Sequence, residues 1–328
     1  MFGKNTLKHL PEKRPLAAIF SIAGPTLNRA EADFFRAANP LGFILFGRNI
    51  EDPAQLAHLV KTLKETVGWN CPILIDQEGG RVQRLKPPQW KQHLPPLKQV
   101  ADKTTLVNST WEIAHELRAV GINVDCSPVL DILQSDTSEV INDRALGHDA
   151  DTVKKNGLRI CKEFLKAGIM PVIKHIPGHG RATVDSHLDL PVVNTPLSEL
   201  EKTDFVPFRF AAKSLVGSQI WGMMAHILYP EVDSERPSSL SPLIIDQIVR
   251  KSLGFKGFLL SDDLDMKALD RYGSIAERAR LSVESGCDAA LYCWADMTAM
   301  REMTQTLPVL TDESWKRFKK SWAVLKNK

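Results

Sequence analysis

A chain of 328 residues that is 43% hydrophobic and 25% charged has ordinary globular composition and enough apolar side chains for a large core. Its 42 basic and 39 acidic residues leave a formal charge of +3, which gives no one-signed field for nucleic acid or a membrane surface, so neither is expected as a partner.

The opening MFGKNTLKHLPEKRP is polar and basic without an apolar signal core, and no later run approaches the roughly 18 apolar residues of a membrane span. A cytoplasmic location is therefore expected. The five scattered cysteines, Cys71, Cys126, Cys161, Cys287 and Cys293, fit reduced, mostly buried thiols in that compartment. From residue 16 onward, short β-branched or apolar runs alternate with longer amphipathic stretches. Strands are expected at 16–22, 43–46, 72–76, 122–125, 170–175, 220–226, 257–262 and 289–293. Helices are expected at 28–38, 53–66, 106–120, 151–167, 197–215, 242–253 and 275–284, with 312–325 as the eighth. Thr195-Pro196 and Ser241-Pro242 read as helix starts, where proline's missing donor costs nothing. Gly121, Gly168, Gly254 and Gly286 sit where helices should stop. Eight βα units without a composition break predict an α/β fold, a single (β/α)8 TIM barrel forming one catalytic domain over 1–328.

Three connections are longer than a link requires, at 78–102, 128–148 and 176–193. All follow strands, which places them on the face where barrel enzymes build their sites. Polar residues collect at the same ends. Asp76 closes the third run and leads to Gln77, Glu78, Arg81 and Arg84; the fourth leads to Asp131 and Arg144; Lys174-His175, His226 and Asp262-Asp263 end the next three. A lone strand-end charge commonly caps a helix, but such a coincidence on one rim points to a site.

The densest cluster is KHIPGHG at 174–180 followed by Asp185-Ser186-His187. Its glycines allow a loop to fold closely over a ligand. Zinc on His175, His179 and His187 is one chemistry, but the spacing is not that of HExxH and Lys174 would set a cation beside the metal, so no metal is expected. A serine nucleophile lacks the GxSxG elbow. Acid/base work by His187, oriented by Asp185 two residues away, suits an imidazole that exchanges protons near neutral pH. Sugar chemistry then needs an ionised carboxylate on the opposite face, for which Asp262 is the candidate, with helix capping as the competing role. Asp76 with Arg84, Lys174 and His175 would bind vicinal hydroxyls. Trp90 and Trp294 are candidates for stacking on a sugar, although tryptophan is most often core.

The strings GFILFGRNI, ILIDQEGGRVQRL, NVDCSPVLDI, VINDRALG, VIKHIPGHGRATVDSHLDLP, GMMAHILYP, GFLLSDDLDM and ESGCDAALYC, running in order from Gly42 to Cys293, resemble the bacterial β-N-acetylglucosaminidases of glycoside hydrolase family 3. The resemblance implies one barrel, no cofactor, no obligatory protein partner, and retaining hydrolysis through a covalent glycosyl-enzyme. It implies Asp262 as nucleophile, His187 as acid/base with Asp185 as its partner, and Asp76, Arg84, Arg144, Lys174 and His175 as sugar-binding residues. Its implied substrate is a small saccharide or muropeptide, terminal N-acetylglucosamine on a 1,6-anhydro-N-acetylmuramoyl peptide from cell-wall recycling. Ile176 stands where the KHFPGHG form has an aromatic residue. A phosphorylase on the same fold remains an alternative, because a histidine acid/base repels phosphate less than a carboxylate does. A non-catalytic sugar-binding barrel is the other.

Overall fold

In the computed structural model, residues 7–186 and 188–326 are described. Eight parallel strands close into a barrel in sequence order: β1 Leu16–Phe20, β2 Pro40–Leu45, β3 Ile73–Ile75, β4 Val124–Asp125, β5 Met170–Ile176, β6 Trp221–Met224, β7 Phe258–Asp263 and β8 Ala289–Leu291. Closure is made by β8 on β1, with Ala18 opposite Ala290 and Ile19 opposite Leu291. These strands read as continuous apolar runs because one face fills the barrel and the other meets the helices, leaving β1 and β2 buried along their whole length.

The helices form where their caps say they should. Asn28 and Glu31 make a reciprocal capping box at the start of Arg29–Ala38. Asp52 accepts from the Ala54 and Gln55 N–H groups ahead of Pro53–Val67. Gly168 ends Ala150–Ala167 at φ 82°, a left-handed conformation that glycine adopts without a Cβ clash.

Three expectations about helices need correction. The stretch 197–215 is two pieces, Leu197–Leu200 and Val206–Lys213. Pro207 cannot donate, so it serves the first turn of a new helix and not the interior of a long one. The stretch at 242–253 is a π-helix, Ile244–Ser252, in which Leu253 N–H reaches the Ile248 carbonyl. The last βα unit contains an unforeseen helix, Met297–Thr306, capped by Asp296, before the final Asp312–Trp322.

That final helix closes the N-terminal mouth of the barrel. Phe318 and Trp322 pack on Trp221 and Phe258, the first residues of β6 and β7, and the buried Trp221 indole N–H donates to Ser321 Oγ at 2.8 Å. Burying each such ring contributes on the order of 2 kcal/mol. All five cysteines are free thiols, and Cys71, Cys126, Cys161 and Cys287 are buried. Among the described residues no helix is long and apolar enough to cross a membrane.

Candidate active site

The C-terminal ends of the strands and the loops after them gather a set of buried charges. Lys174, 2% exposed, reaches across from β5 to Asp76 Oδ1 at 2.8 Å and Glu78 Oε1 at 2.7 Å. Arg84 binds the second oxygen of Asp76 at 3.2 Å. Arg144, on the short turn Asn142–Arg144, grips Glu78 with two parallel hydrogen bonds of 2.9 and 2.8 Å, a fork that only a guanidinium supplies. Burial pushes both carboxyls up, but the cations outweigh it: Lys174 and Arg84 hold Asp76 well below its ordinary value, and Arg144 and Lys174 bring Glu78 to about 2. Burial works against the charge of Lys174 as well, and Asp76 and Glu78 keep it protonated. Asp76, Glu78, Lys174 and Arg144 are therefore ionised at neutral pH. Arg84 Nε is buried without a partner among the described residues, so a donor remains beside the cavity.

The loop after β4 is tied to this network. Arg81 pairs with Asp143 at 2.9 Å and donates to the Glu139 carbonyl at 2.6 Å, while Arg144 donates to the Val140 carbonyl at 2.7 Å. Asp131 organises the end of β5: it accepts from His175 Nδ1 at 2.7 Å, from the His175 backbone N–H at 3.3 Å and from the His179 N–H at 2.6 Å. Burial raises the Asp131 carboxyl, yet His175 and His179 bring it below the ordinary value. An ionised Asp131 makes Nδ1 the donor nitrogen of His175 and leaves Nε2 for other partners.

Asp262 stands on β7 with Oδ1 accepting from the Asp263 N–H at 2.8 Å. Burial pushes its carboxyl up, and His175, His226, that N–H and Lys174 together hold it below the ordinary aspartate value. Asp263 differs. Burial dominates there and raises it to about 6, and its Oδ1 accepts from Cys293 and Asp265 N–H groups, so local capping falls to Asp263. His226 lies just behind, its Nε2 2.9 Å from the Asp263 carbonyl and its Nδ1 2.6 Å from Ser239 Oγ.

Asp76, Arg84, Arg144, Lys174, His175 and Asp262 all line one cavity of about 200 Å³. Asp185 is half-buried and outside that lining, whereas its neighbour Ser186 is part of it. The Ser186 carbonyl accepts from Ala268 N–H, tying this loop to the segment after β7. The Asp185 carbonyl accepts from Leu188 and Asp189 N–H groups; His187 lies outside the described residues. Gly180 backs onto the loop after β4, where a Cβ would come 2.1 Å from the Ile132 carbonyl oxygen, so its small size serves loop against loop instead of loop against ligand. Ile176 is fully buried, and a Cβ on Gly222 would meet its Cδ1 at 2.5 Å, a fit that an aromatic side chain would have to remake. The His175 and His179 rings meet edge to face at 5.6 Å, and among the described residues no group of three or more His, Cys, Asp or Glu is arranged to hold a metal ion.

Sequence reasoning passed over Glu78 as a site residue. The signal was charge counting: Arg84, Arg144 and Lys174 gather on one rim with Asp76 as their single chosen partner, and buried cations require matching anions. Asp131 was noted at its strand end but not as the residue that orients His175.

A closed parallel barrel with an ionised carboxylate, paired acceptors and fixed donors around one cavity at its C-terminal mouth is the frame of a barrel glycoside hydrolase. The model of the glycosyl hydrolase family 3 N-terminal domain matches residues 20–321, and the chain belongs to that family. A curated relative from Thiobacillus denitrificans, named Beta-hexosaminidase, is 37% identical over 289 residues, which is 84% of this chain and 77% of the relative. NagZ from Neisseria gonorrhoeae, solved in complex with N-trifluoroacetyl-D-glucosamine, is 30% identical with a TM-score of 0.83, covering 96% of this chain and 91% of that one. The family 3 β-N-acetylglucosaminidase from Paenibacillus sp. superposes with a TM-score of 0.84 at 29% identity, over 95% of this chain but 61% of its own length. The chain is thus a glycoside hydrolase of the β-hexosaminidase type.

Proposed function

We propose that the protein is a retaining exo-β-N-acetylglucosaminidase, a single catalytic domain that removes terminal N-acetylglucosamine from 1,6-anhydro-N-acetylmuramoyl peptides during cytoplasmic cell-wall recycling. The observation that carries this reading is Asp262: a carboxylate kept ionised, lining the cavity at the tip of β7, opposite the Asp76, Lys174 and Arg84 cluster.

In the proposed cycle Asp262 attacks the anomeric carbon, and the glycosidic oxygen leaves with a proton from His187. His187, oriented by Asp185, then takes a proton from water as that water releases the sugar from Asp262. Asp76 accepts from sugar hydroxyls, and Arg84, Arg144, Lys174 and His175 donate to sugar oxygens. The distribution of charge supports these roles, since Asp76 still has cations to hold it ionised when it accepts a hydroxyl.

A 5-fluoro glycosyl fluoride, which slows the second step, should leave its sugar on the peptide containing Asp262, read by mass spectrometry. Asp262→Ala should lose turnover of an activated aryl N-acetylglucosaminide; near-normal turnover by this variant rules out the assignment. Product analysis in phosphate buffer separates hydrolysis from phosphorolysis, since hexosamine 1-phosphate would identify a phosphorylase.

A further inference from the structure

The mouth of the cavity carries an aromatic face that none of these roles uses. Trp294 follows β8 and is 55% exposed, unusual for the largest apolar ring on a rim otherwise built of charges. Its position is fixed from both sides. Cys293, the preceding residue, lines the cavity, and its N–H donates to Asp263 Oδ1 at 3.0 Å, one residue from Asp262. Arg48 places its guanidinium 5.8 Å from the Trp294 ring and 4.7 Å from the Phe46 ring. That guanidinium is itself held by the Cys293 carbonyl at 2.6 Å, Ser21 Oγ at 2.7 Å and the Ile22 carbonyl at 3.2 Å. Arg84, which grips Asp76, lies 5.5 Å over the same Phe46 ring. A continuous run of contacts therefore links the sugar-binding floor to the exposed indole.

Such a ring is pre-organised for a flat, apolar ligand face with polar edges. A pyranose offers that face through its C–H bonds and leaves its hydroxyls to water, and a braced indole has little freedom to lose on binding. Trp294 lies outside the cavity lining, beyond Cys293, so the ring it meets is not the one held among Asp76, Lys174 and His175. We infer that Trp294, braced by Arg48, is the binding face for a pyranose on the leaving side of the scissile bond, an inference that rests on the glycosidase reading above.

The test compares the intact enzyme with Trp294→Ala and Trp294→Phe on two substrates. N,N′-diacetylchitobiose has a sugar as leaving group; N-acetylglucosaminyl fluoride has a single atom and cannot reach the indole. The ratio of kcat/KM on the disaccharide to that on the fluoride should fall about tenfold in Trp294→Ala, through KM, and largely recover in Trp294→Phe. An unchanged ratio, or an equal loss on both substrates, overturns the inference. A wild-type enzyme that cleaves the fluoride and not the disaccharide overturns it alone, whereas one that cleaves neither removes the glycosidase reading with it.

Discussion

Adjacent aspartates at the tip of β7 are pushed in opposite directions, and the pair is a measurable handle on the site. Asp262 is held low by the imidazoles and Lys174, while Asp263 is raised to about 6 by burial. A raised acid favours the folded state below its unfolded value near 4, and that stability is lost as pH rises through the folded value. Asp263→Asn keeps an oxygen that accepts from Cys293 and Asp265. It should therefore have a higher Tm than wild type above pH 6 and none of that advantage near pH 4, by calorimetry across the range; a pH-independent difference would contradict the burial of a charge at this position. Glu78 has the opposite sign, since its stabilisation is present above the ordinary carboxylate range and lost as pH falls toward about 2. Glu78→Gln leaves Arg144 without its anion and Lys174 with Asp76 alone, and should cost about 3 kcal/mol at pH 7 in denaturant unfolding, together with a higher KM. Sequence offered Asp262 readily because a charge ends an apolar run. It did not offer the partnership of Glu78, because the residues it pairs with lie far along the chain and only closure of the barrel brings them together.

At the scale of elements, legibility followed how local the determinant is. Strands β5 and β7 could be read because apolar runs stop abruptly at Lys174-His175 and Asp262-Asp263. The helix stops at Gly121, Gly168, Gly254 and Gly286 all adopt positive φ, since a left-handed residue is a requirement of the chain itself. Helix Met297–Thr306 was missed although Asp296 caps it and Met300 and Met303 stand at helical spacing, because 312–325 already supplied the eighth helix of the βα pattern. The loop after β5 depends on something less local, the carboxylate of Asp131, which reaches His175 and His179 from the β4 side. Asn at that position can still accept from the backbone N–H groups but presents an NH2 where His175 Nδ1 now donates. Asp131→Asn should lower kcat/KM about tenfold or more with a small change in Tm, and nitrogen NMR should find the His175 tautomer altered. An unchanged tautomer would mean that packing, not Asp131, sets the ring.

Over the whole molecule the two mouths of the barrel divide the work, chemistry at one and closure at the other. The chemical mouth was legible as a rim of charges; the closing mouth was not, because its central residue, Asp288, looks in the sequence like an ordinary polar residue ahead of β8. In the fold it is 1% exposed and holds three elements together just ahead of β8. It accepts from Arg250 at 3.0 Å on the π-helix, from the Leu259 N–H at 2.8 Å on β7, and from Ser314 Oγ at 2.7 Å and Arg317 at 2.8 Å on the final helix. Burial on its own would lower the charge of Arg250, and Asp288 opposes that. Replacing Asp288 by Ala strands a buried guanidinium and a strand N–H and frees the helix that carries Phe318 and Trp322 against Trp221. The cost should be about 3–5 kcal/mol. In a domain of this size that corresponds to a Tm loss of roughly 10 °C. Because Asp288 sits at the opposite end of the barrel from Asp262, KM at a temperature well below the new Tm should stay within about twofold of wild type. A rise in KM as large as that produced by Glu78→Gln would show instead that the closing helix positions the catalytic mouth through the length of β7 and β8.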